Sequence, residues 1–150
     1  MGDLEMRPAT ADDVPAIVAM LADDPLGAQR ESPGDLTPYL AALERLTADP
    51  NQQLIVATRE DRVVGTLQLT IIPGLSRRGS TRSIIEAVRI HADERGSGLG
   101  TQLIEWAIDA SRRAGCQLVQ LTSDSTRTDA HRFYERLGFT ASHVGFKLQL

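Results

Sequence analysis

The chain has 150 residues, 41% hydrophobic and 24% charged, with a formal net charge of -4 and one cysteine, Cys116. A chain of this length makes one domain and buries roughly 68–70% of the surface its unfolded form exposes, so it folds without disulfides or structural metals. The acidic balance speaks against nucleic acid as a main partner and fits weakly with a cationic substrate. One cysteine allows no internal disulfide. No apolar run approaches the roughly 18–20 residues that span a membrane, and Met1 to Glu5 lacks the basic and apolar regions of a signal peptide, so a cytoplasmic protein is the default expectation.

Leu4 to Arg7 reads as a first strand, after which Thr10 or Asp12 can cap a helix. Val14, Ile17, Val18 and Leu21 fall on one helical face. Asp23 to Asp35 holds Pro25, Gly27, Pro33 and Gly34 and reads as a loop or broken helix. Thr37-Pro38 starts a second helix, since proline in the first turn loses no needed N–H, and Pro50 stops it. Gln53–Thr58 and Val63–Ile72, joined by Glu60-Asp61-Arg62, predict an antiparallel hairpin. A basic, serine-rich connection with Arg77, Arg78 and Arg82 leads to a strand over Ile84–His91. Strict alternation on that strand puts Ile84, Glu86, Val88 and Ile90 on one face and Ile85, Ala87, Arg89 and His91 on the other.

The glycine-rich segment Arg95-Gly96-Ser97-Gly98-Leu99-Gly100 follows, then a long amphipathic helix marked by Leu99, Leu103, Trp106, Ala107, Ala110 and Ala114 and stopped at Gly115. Leu118–Thr122 predicts a strand, Ala130–Leu137 a short helix ended by Gly138, and Phe139–Leu150 one or two final strands. The order β-α-α-β-β-β-α-β-α-β predicts an α/β domain over residues 1–150, with a mixed sheet and helices on both faces.

A loop that leaves a strand and opens a helix presents free backbone N–H groups and the positive end of the helix dipole. Glycines at 96, 98 and 100 clear side chains from such a loop, and Arg95 adds a permanent charge with fork geometry, so a phosphate or pyrophosphate is the natural ligand. The same glycines could simply permit a tight turn. A dinucleotide-binding fingerprint needs its third glycine where Thr101 stands, and a Walker A loop needs a Gly-Lys-Ser/Thr sequence that is absent.

Arg95-x-x-Gly98-x-Gly100 resembles the acetyl-CoA signature of the GNAT superfamily of N-acetyltransferases, and Ala130-His131-Arg132-Phe133-Tyr134-Glu135-Arg136-Leu137-Gly138-Phe139 resembles its second motif, A-x-x-F-Y-x-x-x-G-F. The order of elements matches over the whole chain, which implies a mostly antiparallel sheet. The tail from Asp129 to Tyr134, with Ser142-His143, is similar to that of aminoalkylphosphonate N-acetyltransferases. The resemblance implies acetyl-CoA as co-substrate. It implies that the strand around Val88, Arg89 and Ile90 splays from its neighbour and offers backbone groups to pantetheine. Arg95, Gly96, Ser97, Gly98, Leu99, Gly100 and Thr101 would hold the pyrophosphate, and Tyr134 would sit near the thioester sulfur. Arg127 stands where many members carry asparagine, which alters a contact on the pantetheine or 3′-phosphate side.

Acyl transfer to an amine requires a base for the ammonium proton, stabilisation of the carbonyl oxygen and a proton for the departing thiolate. Glu86 is the candidate base: on an apolar strand face it would be partly desolvated, which raises a carboxylate pKa, and it could act directly or through water. The alternative is a surface glutamate paired with an arginine. Tyr134 is the candidate acid, against the alternative of a packed aromatic beside Phe133 and Leu137. The N–H of Val88 or a neighbour could polarise the carbonyl. Cys116 reads as buried and inert rather than as a nucleophile. His91, His131 and His143 have no metal-binding spacing, and His131 with Glu135 reads as a solvated i,i+4 pair, so no metal is expected. Trp106 fits the helix stripe and reads as core.

On the acceptor side, Asp23, Asp24, Glu31 and Asp35 could recruit a cationic amine, whereas Arg77, Arg78 and Arg82 could meet an anion. A small-molecule primary amine is the leading expectation, and a protein N-terminus or lysine is next. A non-catalytic CoA-binding or sensing domain is the competing class. A homodimer is compatible with all of these.

Overall fold

In the computed structural model, which describes residues 2–150, a five-stranded sheet runs β1-β2-β3-β4-β5 in both sequence and space. β1 (Leu4–Pro8), β2 (Gln52–Arg59), β3 (Arg62–Ile72) and β4 (Thr81–Ile90) pair antiparallel. β5 (Cys116–Leu121) joins β4 in parallel, and the crossover this requires is the helix α5 (Leu99–Arg113). α1 (Val14–Ala22), the single turn α2 (Gly27–Arg30) and α3 (Thr37–Ala48) precede β2, a left-handed turn α4 (Ser76–Gly79) links β3 to β4, and α6 (Thr128–Arg136) follows β5. The mixed, mostly antiparallel sheet with helices on both faces is the expected fold class.

Side-chain alternation assigns each face its helices. Leu67, Leu69 and Ile85 form a continuous core with Leu99, Leu103, Ile104 and Ala107 of α5. Thr66 and Gln68 point the other way, toward α1 and α3, where a cavity of about 170 Å³ is lined mainly by apolar side chains and reaches Ala87. The buried Ser83 and Ser111 hydroxyls share a hydrogen bond of 2.7 Å, and Ser111 also donates to the Ala107 carbonyl. Those polar atoms are therefore satisfied where α5 crosses β4.

Local chemistry sets the element ends. The Asp13 carboxylate accepts the Thr10 backbone N–H at 2.8 Å and its hydroxyl at 3.2 Å, so Thr10 with Asp13, rather than Asp12, organises the start of α1. The same carboxylate takes two guanidinium N–H groups from Arg7 at 2.7 and 2.9 Å, which ties α1 to β1. Glu60 and Asp61 both adopt positive φ (50° and 65°), the conformation that closes a tight hairpin with the twist of its strands.

Two expectations need correction. The first is the alternation of β4. Thr66 pairs with Arg89 and Gln68 with Glu86, so Leu67 alone faces both Ala87 and Val88. This is a β-bulge, with Ala87 at φ 54° as the extra residue. The bulge reverses the parity of the strand. Glu86 therefore lies on the face of Ile84 and Arg89, whereas Val88 and Ile90 join Ser83 and Ile85 against α5. The second correction is the C-terminus. No strand forms after Phe139, and residues 141–150 are exposed throughout. The final β of the expected order is absent because a strand holds only against a partner, and this chain's tail pairs with nothing in its own sheet.

Candidate active site

The bulge at Ala87 coincides with the end of the β4–β5 ladder. Parallel pairing proceeds from Thr81↔Cys116 to Ile85↔Leu121 and stops there. Glu86 to Ile90 continue to pair with β3 but have no β5 partner on their other side. On that side the backbone groups of Val88, Arg89 and Ile90 have no ladder partner in β5, and the Val88 carbonyl accepts from Arg89.

β4 leads to the glycine loop. A short turn, Ala92–Glu94, follows β4, and the partly buried ion pair Arg59–Glu94 (2.8 Å) fixes it to the end of β2. Gly96 and Gly98 have φ of 79° and 85°, and Gly98 caps α5 in the left-handed region. A Cβ at either position would meet no atom within 4 Å, so these glycines serve conformation and face open space. Gly100 differs: a Cβ there would lie 3.0 Å from Ile90 and 3.3 Å from Phe133, so its role is packing of α5 against β4 and α6. Among the described residues, the N–H groups of Gly96, Gly98, Gly100 and Thr101 reach no backbone acceptor. The Leu99 N–H has only a long contact, 3.4 Å, to the Ser97 hydroxyl. Such a cluster of unpaired donors at a helix N-terminus binds anions. Arg95 flanks it, largely exposed and 3.6 Å from Asp23.

Tyr134 lies on α6, within reach of the charge of Arg89 on β4. Its ring packs edge-on against Phe133 (5.2 Å between centroids) and Phe139 (5.9 Å). It is half-buried, and burial raises the pKa of its hydroxyl while the charges of Arg127 and Arg89 oppose the shift. The hydroxyl thus holds its proton at neutral pH, as a general acid must. Glu86 is exposed, so the desolvation expected from strict alternation is absent. The bulge carries Val88 and Ile90 to the opposite face, so Glu86 shares its own with Ile84 and Arg89.

Arg89 is the side chain whose importance the sequence leaves hidden. It is 18% exposed; its Nη1 donates to the Val88 carbonyl at 2.9 Å, and its Nε lies 3.5 Å from Asp24 without a hydrogen-bond partner. Burial lowers its pKa, and the fields of Asp24, Arg127 and Arg30 all reach it. Asp24 also accepts the Gly27 N–H, which holds its carboxyl below the usual carboxylate range with further help from Arg89, Arg127 and Arg30. Glu31 accepts the Tyr39 hydroxyl at 2.9 Å. The acidic loop is therefore largely engaged within the protein. Arg127, just before α6, is near enough for its charge to act on Tyr134, whereas Arg77 and Arg78 are exposed on the α4 turn.

The remaining candidates take structural places. Cys116 is half-buried at the start of β5, and burial pushes its thiol pKa up, away from the reactive thiolate. His131 bonds the Asp124 carbonyl at 2.9 Å instead of pairing with Glu135. His91 contacts Arg62 and the Asp93 N–H, and His143 contacts Ser142. Trp106 is half-buried against the core. No described helix is long and apolar enough to cross a membrane.

Residues 15–139 match the model of the Acetyltransferase (GNAT) family. An aminoalkylphosphonate N-acetyltransferase of Salmonella typhimurium is 31% identical over 95% of this chain and 88% of its own length. A glucosamine 6-phosphate N-acetyltransferase of Trypanosoma brucei brucei is 33% identical over 87% of this chain and 93% of its own. A crystal structure from Bacillus halodurans C-125, described as a transcriptional regulator, superposes with a TM-score of 0.95 at 45% identity and covers 99% of this chain and 100% of that one. With a family model over most of the chain and N-acetyltransferase relatives along nearly all of it, this chain belongs to the GNAT family of acyl-CoA-dependent acetyltransferases.

Proposed function

We propose that this protein transfers an acetyl group from acetyl-CoA directly to the primary amine of a small molecule that also carries a phosphonate or phosphate. The observation that supports the donor is the continuity between the end of the β4–β5 ladder at Ile85–Leu121 and the unpaired N–H groups from Gly96 to Thr101. Pantetheine would lie along Val88, Arg89 and Ile90, and the pyrophosphate on residues 95–101. The thioester would then sit between the bulge and Tyr134. The amine nitrogen attacks the carbonyl carbon and forms the C–N bond. A backbone N–H near Val88 carries the developing oxyanion, and the C–S bond breaks as Tyr134 protonates the sulfur. The amine's surplus proton leaves toward Glu86, which its exposure suits to action through water.

The acceptor assignment rests on charge. The charges of Arg30 and Arg127 both act on Arg89, while Asp24 and Glu31 are already engaged and Asp23 faces Arg95. An arginine cluster recognises phosphonate or phosphate oxygens in bidentate fashion. The names of the Salmonella and trypanosome relatives both denote amines that carry such a group. Thiol release from acetyl-CoA tests the proposal on three matched amines: aminoalkylphosphonates, sugar-phosphate amines and neutral amines of similar size. Turnover confined to the anionic amines is the expected result. CoA binding without turnover on any amine overturns the catalytic reading, and preference for neutral or polycationic amines overturns the acceptor assignment.

A further inference from the structure

The space under α1 and α3 differs from the filled core on the other face of the sheet. It holds about 170 Å³, and a cavity of roughly 150 Å³ lined by aliphatic and aromatic side chains takes up benzene. α3 supplies one wall with Tyr39, Leu43 and Leu46, yet none of its residues is fully buried, so the helix stands off the sheet instead of closing onto it. Among the described residues, no charged side chain lines the cavity. Its polar side chains are already engaged. The Tyr39 hydroxyl donates to Glu31 at 2.9 Å and accepts the Ser32 N–H, the Thr66 hydroxyl donates to the Ile55 carbonyl at 2.9 Å, and the Gln68 amide donates to Gln52 at 3.0 Å. Such a lining offers an anion nothing and favours hydrocarbon.

The place of the cavity says whose hydrocarbon. Thr66 and Gln68 form part of its floor, and they pair across the ladder with Arg89 and Glu86. Cross-strand partners share a sheet face, so the candidate base and the arginine of the acceptor side stand on the face that carries the cavity. Ala87, the extra residue of the bulge, lines the cavity itself and precedes Val88, along which pantetheine would lie. Tyr39 completes the connection, because the Glu31 that accepts its hydrogen bond is near enough for its charge to act on Arg89. We propose that the cavity receives the hydrocarbon body of the acceptor, and that the preferred substrate is a phosphonate- or phosphate-bearing amine with an alkyl or phenyl group of roughly six carbons beside its amino group. This deepens the acceptor assignment above and rests on it: the anionic group stays with the arginines, the amine meets the thioester at the bulge, and the apolar group fills the space beyond Ala87. A sugar body does not suit that space, since its hydroxyls would lose water and find no partner.

A series of α-aminoalkylphosphonates with side chains from hydrogen to octyl tests the proposal. With acetyl-CoA, kcat/KM should rise about fourfold per added carbon up to roughly six carbons and then fall, because each buried methylene contributes that factor until the cavity is full. A flat series, or a preference for a sugar-phosphate amine, overturns the proposal and leaves the acetyltransferase reading standing. Binding is measured separately, with methyl-, propyl- and hexylphosphonate, which lack the amine, added to the CoA-bound protein. The methyl NMR signals of Val18, Leu43 and Leu54 should shift, and shift further as the chain lengthens. Shifts at these methyls support the subsite whether or not any amine turns over, and their absence overturns it even where short aminophosphonates are acetylated. Ala42→Phe, which fills the cavity from α3, should bring the hexyl-to-hydrogen ratio of kcat/KM close to one, and an unchanged ratio also overturns the proposal. The series and the NMR measurement use the unmodified chain, so they decide the matter even if the variant fails to fold.

Discussion

Ile85 of β4 pairs with Leu121 of β5, and no pair of the parallel ladder lies beyond them. The opening they bound is continuous with a loop whose two left-handed glycines, Gly96 and Gly98, face empty space. Gly98→Ala should therefore weaken acetyl-CoA binding about tenfold, because an L side chain at that φ costs roughly 1–2 kcal/mol and shifts the donors. Calorimetric titration with CoA checks this, and unchanged affinity would remove the loop from the cofactor site.

Gly100→Ala should act differently. Its Cβ would press on Ile90 and Phe133, so the expected loss is about 1–3 kcal/mol of stability from overpacking. Urea unfolding of the two alanine variants separates conformational from packing glycines.

Tyr134→Phe should lower kcat by about 100-fold, the scale of a lost general acid, with CoA affinity preserved because Phe133 and Phe139 still hold the ring. Glu86→Gln should cause a smaller loss of kcat, since water can replace an exposed base. Wild-type kcat in both would dismiss the assigned roles.

Arg127→Gln should raise KM for a phosphonate-bearing amine by about tenfold, equivalent to about 1.4 kcal/mol, and leave KM for a neutral amine unchanged. Steady-state kinetics with a matched pair of acceptors makes the comparison. Equal effects on both would place Arg127 on the cofactor instead.

Asp13 should give the fold an acid-sensitive joint. Hydrogen bonds from Arg7 lower its pKa in the folded protein, aided by Thr10 and opposed by burial. A depressed carboxylate pKa contributes stability that is complete above the unfolded value, about 3.9, and is lost as pH falls through the folded value. Asp13→Ala should cost about 2–3 kcal/mol at pH 7, as for lost charged hydrogen bonds. The gap from the parent should narrow progressively below about pH 4 in thermal unfolding measured across pH. A gap constant down to pH 2 would contradict the linkage.

Much of this architecture is legible in the residues. The Val14, Ile17, Val18 stripe, Thr37-Pro38 and the glycine loop mark element positions because each expresses a local rule. The Phe133-Tyr134 pair stands out only through the resemblance of residues 130–139 to a family motif. The parity of β4 is not legible, because alanine carries no signature of positive φ and the bulge is settled by pairing with β3. That one hidden residue misplaces Glu86. The ties Arg89–Asp24 and Arg59–Glu94 join residues distant in sequence, so no spacing announces them. The tail shows the opposite case: its strand pattern is plain, but the chain alone offers it no partner.

The extra residue at Ala87 has a consequence for how this sequence can vary. At φ 54° a branched side chain there would be strained and glycine would be at ease, so a substitution scan would read the position as a backbone site. Removing the residue is another matter. β4 would regain unbroken alternation with Arg89 still opposite Thr66, and the ladder with β5 could zip shut past Leu121. Length, rather than chemistry, is what this position encodes, and a deletion scan is where its importance would surface.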